Sequence, residues 1–151
     1  SHWVKSLLHT FEFYFHTLRD SSLLSPQDIH KLETLVTGAL PHITPSQPSL
    51  LHGDLHSFNY LVDDSNRITG VLDAAECLGG DPHYDLAQFT NTHPEFQKRI
   101  STLFSHYKGC DVERVRVYRA AIGARRLVDH GIQQHNRQNI TREKSNLLSL
   151  L

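Results

Sequence analysis

Apolar positions in the first forty residues recur at helical spacing. Val4, Leu7, Leu8, Phe11, Phe15 and Leu18 fall on one stripe, which predicts an amphipathic helix across residues 3–19. Ser25-Pro26 followed by Asp28 supplies an N-cap, a proline at the first helical position and an early acidic residue. A second helix is therefore expected over 26–40, stopped by Pro41. Residues 41–49 form a polar, proline-bearing connection, and from Leu50 the period shortens. Residues 49–52 are a short apolar run. Residues 60–62 and 68–72 are β-rich runs on either side of the turn-forming Asp63-Asp64-Ser65-Asn66. This predicts a short strand, a loop and a small hairpin within residues 50–73. After a loop at Asp81-Pro82, helices resume over 84–151. A short one starts near Tyr84 and another crosses 94–107. A long one is capped by Asp111, with Val117, Ala121, Ala124, Val128 and Ile132 as its stripe, and a last one runs from Thr141. The pattern is mainly α with a small β-hairpin, an α+β chain of 151 residues read as a single domain, 1–151.

Charge narrows the partners. Fifteen Lys+Arg against sixteen Asp+Glu give a formal charge of -1, so no net field draws the chain to nucleic acid or to an anionic membrane. Arg114, Arg116, Arg119, Arg125 and Arg126 are expected to be the solvated face of the long helix, because no aromatic residues are interleaved as a stacking platform. Cys77 and Cys110 are isolated, which fits neither a disulfide framework nor a zinc site and points to a reducing, cytoplasmic compartment. There is no apolar run of membrane-spanning length and no signal-peptide pattern. Methionine is absent, position 1 included, so the chain reads as a fragment of a longer product.

The chemistry-bearing stretch is His52-Gly53-Asp54-Leu55-His56-Ser57-Phe58-Asn59, followed after one hairpin by Asp73. In H-x-D-x-x-x-x-N, a loop leaving a short strand presents one carboxylate to a substrate hydroxyl, and an asparagine farther along offers its amide oxygen to a hard cation. A second carboxylate beyond the hairpin completes the metal site. This is the layout of kinase-type phosphoryl transfer. Mg²⁺ takes such oxygen ligands and borrows the rest from phosphates and water, and Asn59 and Asp73 are the matching donors. The bare pattern would arise by chance in roughly three of a hundred such chains, so its setting between a strand and a hairpin gives it weight.

With Leu51-His-Gly-Asp-Leu-His56 through Asn59, Leu61-Val62-Asp63, Ile68-Thr-Gly-Val-Leu-Asp73, Gly80-Asp-Pro82 and Tyr84-Asp-Leu-Ala87, the sequence resembles the aminoglycoside phosphotransferase and choline-kinase-like small-molecule kinases. The resemblance implies the helical C-terminal lobe of a protein-kinase-like fold. It makes Asp54 the catalytic aspartate, Asn59 and Asp73 the cofactor and Mg²⁺ ligands, His52 a scaffold of the loop and Asp85 a brace beneath it. The phosphate donor would be ATP or GTP and the acceptor a small-molecule hydroxyl, with aminoglycosides among the candidates. Two departures stand out. Ala74-Ala75 occupy the place where the family commonly has an aromatic and then an acidic residue. No glycine-rich loop and strand lysine precede His52, so the N-terminal nucleotide-binding lobe is expected to come from other sequence, and these residues alone to turn over little substrate.

Other readings compete. His52, Asp54 and His56 alternate, and on a continuing strand they would share one face and bind a transition metal, as in a metallohydrolase. A kinase-like fold kept only for binding, or an inactive fragment, is the non-catalytic rival. Glu76 either faces substrate or is an ordinary loop carboxylate, and His130 and His135 are expected at the surface.

Overall fold

The computed structural model describes residues 2–43, 48–92, 102, 105, 109–133 and 137–151. In chain order these form α1 (His2–Asp20), α2 (Pro26–Ala39), β1 (Ser49–Leu51), β2 (Tyr60–Val62), β3 (Ile68–Val71), β4 (Leu78–Gly80), α3 (His83–Thr92), α4 (Val112–Val128) and α5 (Arg137–Leu148). Short 3-10 turns cover Leu40–His42, Ser57–Asn59 and Ala74–Glu76, and a π-helical turn, Asp129–Gln133, follows α4. The residues gather into two compact units, one of Ser1–Thr44 with Arg116–Leu151 and one of Pro45–Val115. The predicted helix over 94–107 lies outside the described residues, apart from the isolated helical positions 102 and 105.

The first unit is helical. The stripe of α1 buries Val4, Leu7, Phe11, Phe15 and Leu18, and α2 buries Ile29, Leu32 and Val36. The Ser25 hydroxyl accepts from the Asp28 N–H and caps α2, satisfying one of the donors that every helix leaves unpaired at its start. From Arg116 onward α4 is buried nearly all round, with Val117, Tyr118, Ala120, Ala121, Ile122, Ala124, Leu127 and Val128 in the core, the pattern of a central helix. The Trp3 indole N–H donates to the Tyr118 hydroxyl at 3.1 Å. On α5 the buried Glu143 carboxylate takes hydrogen bonds from Arg126 at 3.0 Å and Arg142 at 3.1 Å.

Four expectations change here. The arginines of the long helix are not its solvated face: Arg119 is 6% exposed, Arg126 pairs with buried Glu143, and Arg116 donates twice to the Leu150 carbonyl. Arg125 and Arg114 are also largely covered. A helix surrounded by protein has little wet face, and the guanidiniums of Arg114, Arg116, Arg125 and Arg126 meet carboxylates or a carbonyl instead. Ile132 is 41% exposed, because the π-helical turn after Val128 slips the 3.6-residue stripe. The last helix begins at Arg137, a turn before Thr141. His130 is half-buried rather than at the surface, and His135 is outside the described residues.

The second unit carries two small antiparallel sheets. β2 and β3 form the predicted hairpin, Tyr60 opposite Val71 and Leu61 opposite Gly70, with a bulge between Leu61 and Val62. Its turn is closed by the Asp63 carboxylate, which accepts from the N–H groups of Ser65 and Arg67 and from the Arg67 guanidinium. β1 has a partner that the sequence pattern did not announce: β4 pairs with it in the register Ser49 with Gly80, Leu50 with Gly79 and Leu51 with Leu78. Leu78-Gly79-Gly80 has no side-chain alternation to mark a strand, and only the hydrogen bonds of β1 make it one.

Candidate active site

The loop between β1 and β2 is held from beneath by α3. Both oxygens of Asp85 accept backbone hydrogen bonds, Oδ2 from the His52 N–H at 2.7 Å and Oδ1 from the Gly53 N–H at 2.9 Å. One turn on, the buried Gln88 donates to the Gly53 carbonyl at 2.9 Å. Residues three apart share a helix face, so one face of α3 grips both sides of the 52–53 backbone. Gly53 has φ +82°, and a Cβ there would stand 2.2 Å from the Glu76 carbonyl oxygen, so the position admits only glycine.

His52 joins this loop to the end of the hairpin. Its Nε2–H donates to the Leu72 carbonyl at 2.7 Å, and Nδ1 accepts from the Asp54 N–H at 3.3 Å. With one nitrogen donating and the other accepting, the ring is neutral and both of its polar atoms are spent on backbone. The metallohydrolase alternative is corrected on this ground. β1 stops at Leu51, so His52, Asp54 and His56 do not alternate along a strand, and His52 has no nitrogen left for a metal. Among the described residues no group of three or more His, Cys, Asp or Glu is placed to hold a metal ion.

Asp54, Asn59 and the backbone before Asp73 come together. The buried Asn59 donates from Nδ2 to the Asp54 carbonyl at 2.9 Å, and its own carbonyl accepts from the Leu72 N–H at 2.7 Å. Asp73 follows directly, in the left-handed region at φ 58° and ψ 64°, where it precedes the Ala74–Glu76 turn without a side-chain capping bond. The Asp54 carboxylate is one-third exposed, and its Oδ2 lies 3.2 Å from His56 Nε2. These donors are all oxygens, with the nitrogen of the Asn59 amide already bonded to backbone and the Asp73 carboxylate not used as a cap. Such a set fits Mg²⁺ completed by phosphates and water. Glu76 is exposed, and its carbonyl packs on Gly53.

Farther along, Asp81 and His83 brace the start of α3. Burial works against the charge on Asp81, but hydrogen bonds from the His83 ring at 2.6 Å and from its backbone N–H, with Arg114 nearby, outweigh it and hold the carboxyl below its ordinary value. The other ring nitrogen of His83 accepts from the Asp111 N–H at 3.0 Å.

The model of the phosphotransferase enzyme family, APH, matches residues 3–119. The chain belongs to that family. Among its relatives, an uncharacterized protein of Bacillus subtilis (strain 168), YcbJ, is 36% identical over 63 residues, which are 42% of this chain and 20% of YcbJ. Solved phosphotransferase structures share the fold at low identity. Apo aminoglycoside phosphotransferase APH(4)-Ia, a thermostable mutant, superposes with a TM-score of 0.70 at 18% identity, over 93% of this chain and 51% of that one. The GDP and kanamycin complex of APH(2")-IIia superposes with a TM-score of 0.70 at 19% identity, over 94% of this chain and 50% of that one. A ternary complex of APH(4)-Ia with AMP-PNP and hygromycin B gives 0.69 at 18%, over 98% and 50%. The chain thus spans about half the length of the solved phosphotransferases it matches and a fifth of YcbJ. Its mainly helical fold with two-stranded sheets is about half of the phosphotransferase kinase-like fold.

Sequence reasoning missed two supports of the loop in this family member. Gln88 carried a signal, since it lies one helical turn from Asp85. The link from His52 to Leu72 carried none, because its acceptor is a backbone carbonyl twenty residues away.

Proposed function

We propose that residues 52–73 are the catalytic loop and metal ribbon of a phosphotransferase that moves the γ-phosphoryl group of ATP or GTP to a hydroxyl of a small molecule. The observation that supports this reading is the bond from the Asn59 amide to the Asp54 backbone, together with the bond from the Leu72 N–H, one residue before Asp73, to the Asn59 carbonyl. Asp54, partly exposed on a loop gripped by α3, orients the acceptor hydroxyl and takes its proton at a carboxylate oxygen. Asn59 and Asp73 are the residues that would hold Mg²⁺, which when bound neutralises charge on the transferring phosphates. His52 and Asp85 keep the loop in place and touch no reacting atom.

The rest of the nucleotide site is assigned to polypeptide outside this chain, equivalent to the remaining half of the matched phosphotransferases. In support, Leu61, Val62, Ile68 and Val71 of the hairpin are each more than half exposed, an apolar surface of the kind that protein or a nucleobase covers. The acceptor is proposed to be an aminoglycoside-type compound, on the strength of the kanamycin and hygromycin B complexes of structural relatives.

The test is transfer of labelled γ-phosphate from ATP and from GTP to a panel of hydroxyl acceptors by the full encoded polypeptide, with and without Mg²⁺. Asp54→Asn should lower turnover by about 10²–10⁴-fold, the usual worth of a positioned general base. Undiminished transfer by that variant would remove Asp54 from its role. Mg²⁺-dependent nucleotide binding without transfer to any acceptor would favour a binding module.

A further inference from the structure

His56 is not consumed by the reading above, yet its ring stands against both of the groups that reading depends on. Its Nδ1 accepts from the Phe58 N–H at 3.2 Å, capping the Ser57–Asn59 turn. An imidazole nitrogen that accepts carries no proton, so the proton of the neutral ring sits on Nε2. That nitrogen lies 3.2 Å from Asp54 Oδ2 and 3.3 Å from Asn59 Nδ2. The Phe58 ring meets the imidazole edge to face, with centroids 5.9 Å apart, and further limits its rotation.

We propose that His56 is a positioning residue for phosphoryl transfer: capped at Nδ1 and donating from Nε2–H, it holds the Asp54 carboxylate in the orientation from which it receives the acceptor proton. The inference rests on the proposed role of Asp54. A carboxylate on a partly exposed loop otherwise rotates about two side-chain bonds. A donor fixed to the same loop removes that freedom at one oxygen and leaves the other for the hydroxyl. The ring also fills the space beside the Asn59 amide, so the two groups are spaced by one rigid side chain.

Two substitutions separate the strut from the cap. His56→Ser keeps a hydroxyl able to accept from the Phe58 N–H but cannot reach Asp54. His56→Gln gives up the imidazole cap, and its Nε2–H reaches about as far as the imidazole does. In the full encoded polypeptide, His56→Ser should lower kcat by about 10–100-fold, as misplacement of a reacting group does. The KM values and thermal midpoint should stay within about twofold and 2 °C of the parent, and His56→Gln should recover most of the loss. In the parent, ¹⁵N correlation spectra should show His56 as the Nε2–H tautomer. Parental kcat in His56→Ser, equal losses in the Ser and Gln variants, or an Nδ1–H tautomer would each overturn the proposal. Asp54→Asn, assayed alongside, distinguishes the failures. If that variant is inactive while His56→Ser is fully active, the strut alone is refuted. If Asp54→Asn is itself active, the reading of the site falls and the strut with it.

Discussion

Removing the carboxylate of Asp85 should cost more than its half-buried position suggests. Asp85→Ala deletes two charge-assisted hydrogen bonds, at 2.7 Å from His52 and 2.9 Å from Gly53, and leaves both backbone N–H groups without their partner. Bonds to a charged group contribute about 1.5–3 kcal/mol each. Their shared acceptor and the access of water to a part-buried site reduce the sum, and about 3 kcal/mol is expected. For a chain of this size that corresponds to a fall in Tm of roughly 6–12 °C. The loss should also be local first. Gly53 is held at a positive φ by these bonds, so its amide and that of His52 should lose hydrogen-exchange protection well beyond the rest of α3 and β1. Urea denaturation followed by circular dichroism gives the magnitude, and amide exchange by NMR gives the location. A loss below about 1 kcal/mol, with His52 and Gly53 still protected, would refute the argument that Asp85 fastens the loop.

Three further outcomes are expected. Gly53→Ala combines a left-handed φ with a Cβ 2.2 Å from the Glu76 carbonyl, so the loop must move; a loss of at least about 2 kcal/mol in urea melts is expected, and a neutral variant would contradict the loop geometry. Burial outweighs the nearby Arg125, His130 and Arg126 and raises the carboxyl of Asp129, so its ionised form is disfavoured in the folded chain. Asp129→Asn should therefore be more stable than the parent at pH 7, with the gain shrinking as pH falls through the raised folded value and vanishing below about 3.9. Melts at stepped pH check this, and a gain that grows with acidification would reverse its sign. Glu143→Ala strips Arg126 and Arg142 of a nearly fully buried partner and should cost about 3–5 kcal/mol; Glu143→Gln, which keeps an acceptor, should cost less.

Local signals explain what was legible beforehand. The α1 stripe repeats over about four turns, Ser25-Pro26 marks the start of α2 within four residues, and Asp63 closes the hairpin turn with its own side chain. Each needs no distant partner. The candidate site was legible as an order of residues, Asp54, Asn59 and Asp73 at characteristic spacing. What each of them touches was not. The sequence offered His56 only as a ligand in the metallohydrolase alternative, and it is the capped Nδ1 that turns its other nitrogen toward Asp54.

Composition and periodicity by themselves determined the helical character of the chain, the hairpin and the run of oxygen-bearing residues around it, because helix stripes, caps and tight turns are set by neighbours within a few positions. Tertiary structure alone decided that 78–80 is a strand, that the arginines of α4 are covered rather than solvated, and that Asp85 and Gln88 clamp a loop more than thirty residues upstream. Those outcomes depend on which backbone groups and charges meet after the chain has folded, and a buried donor or carboxylate takes whatever partner the packing brings within 3 Å.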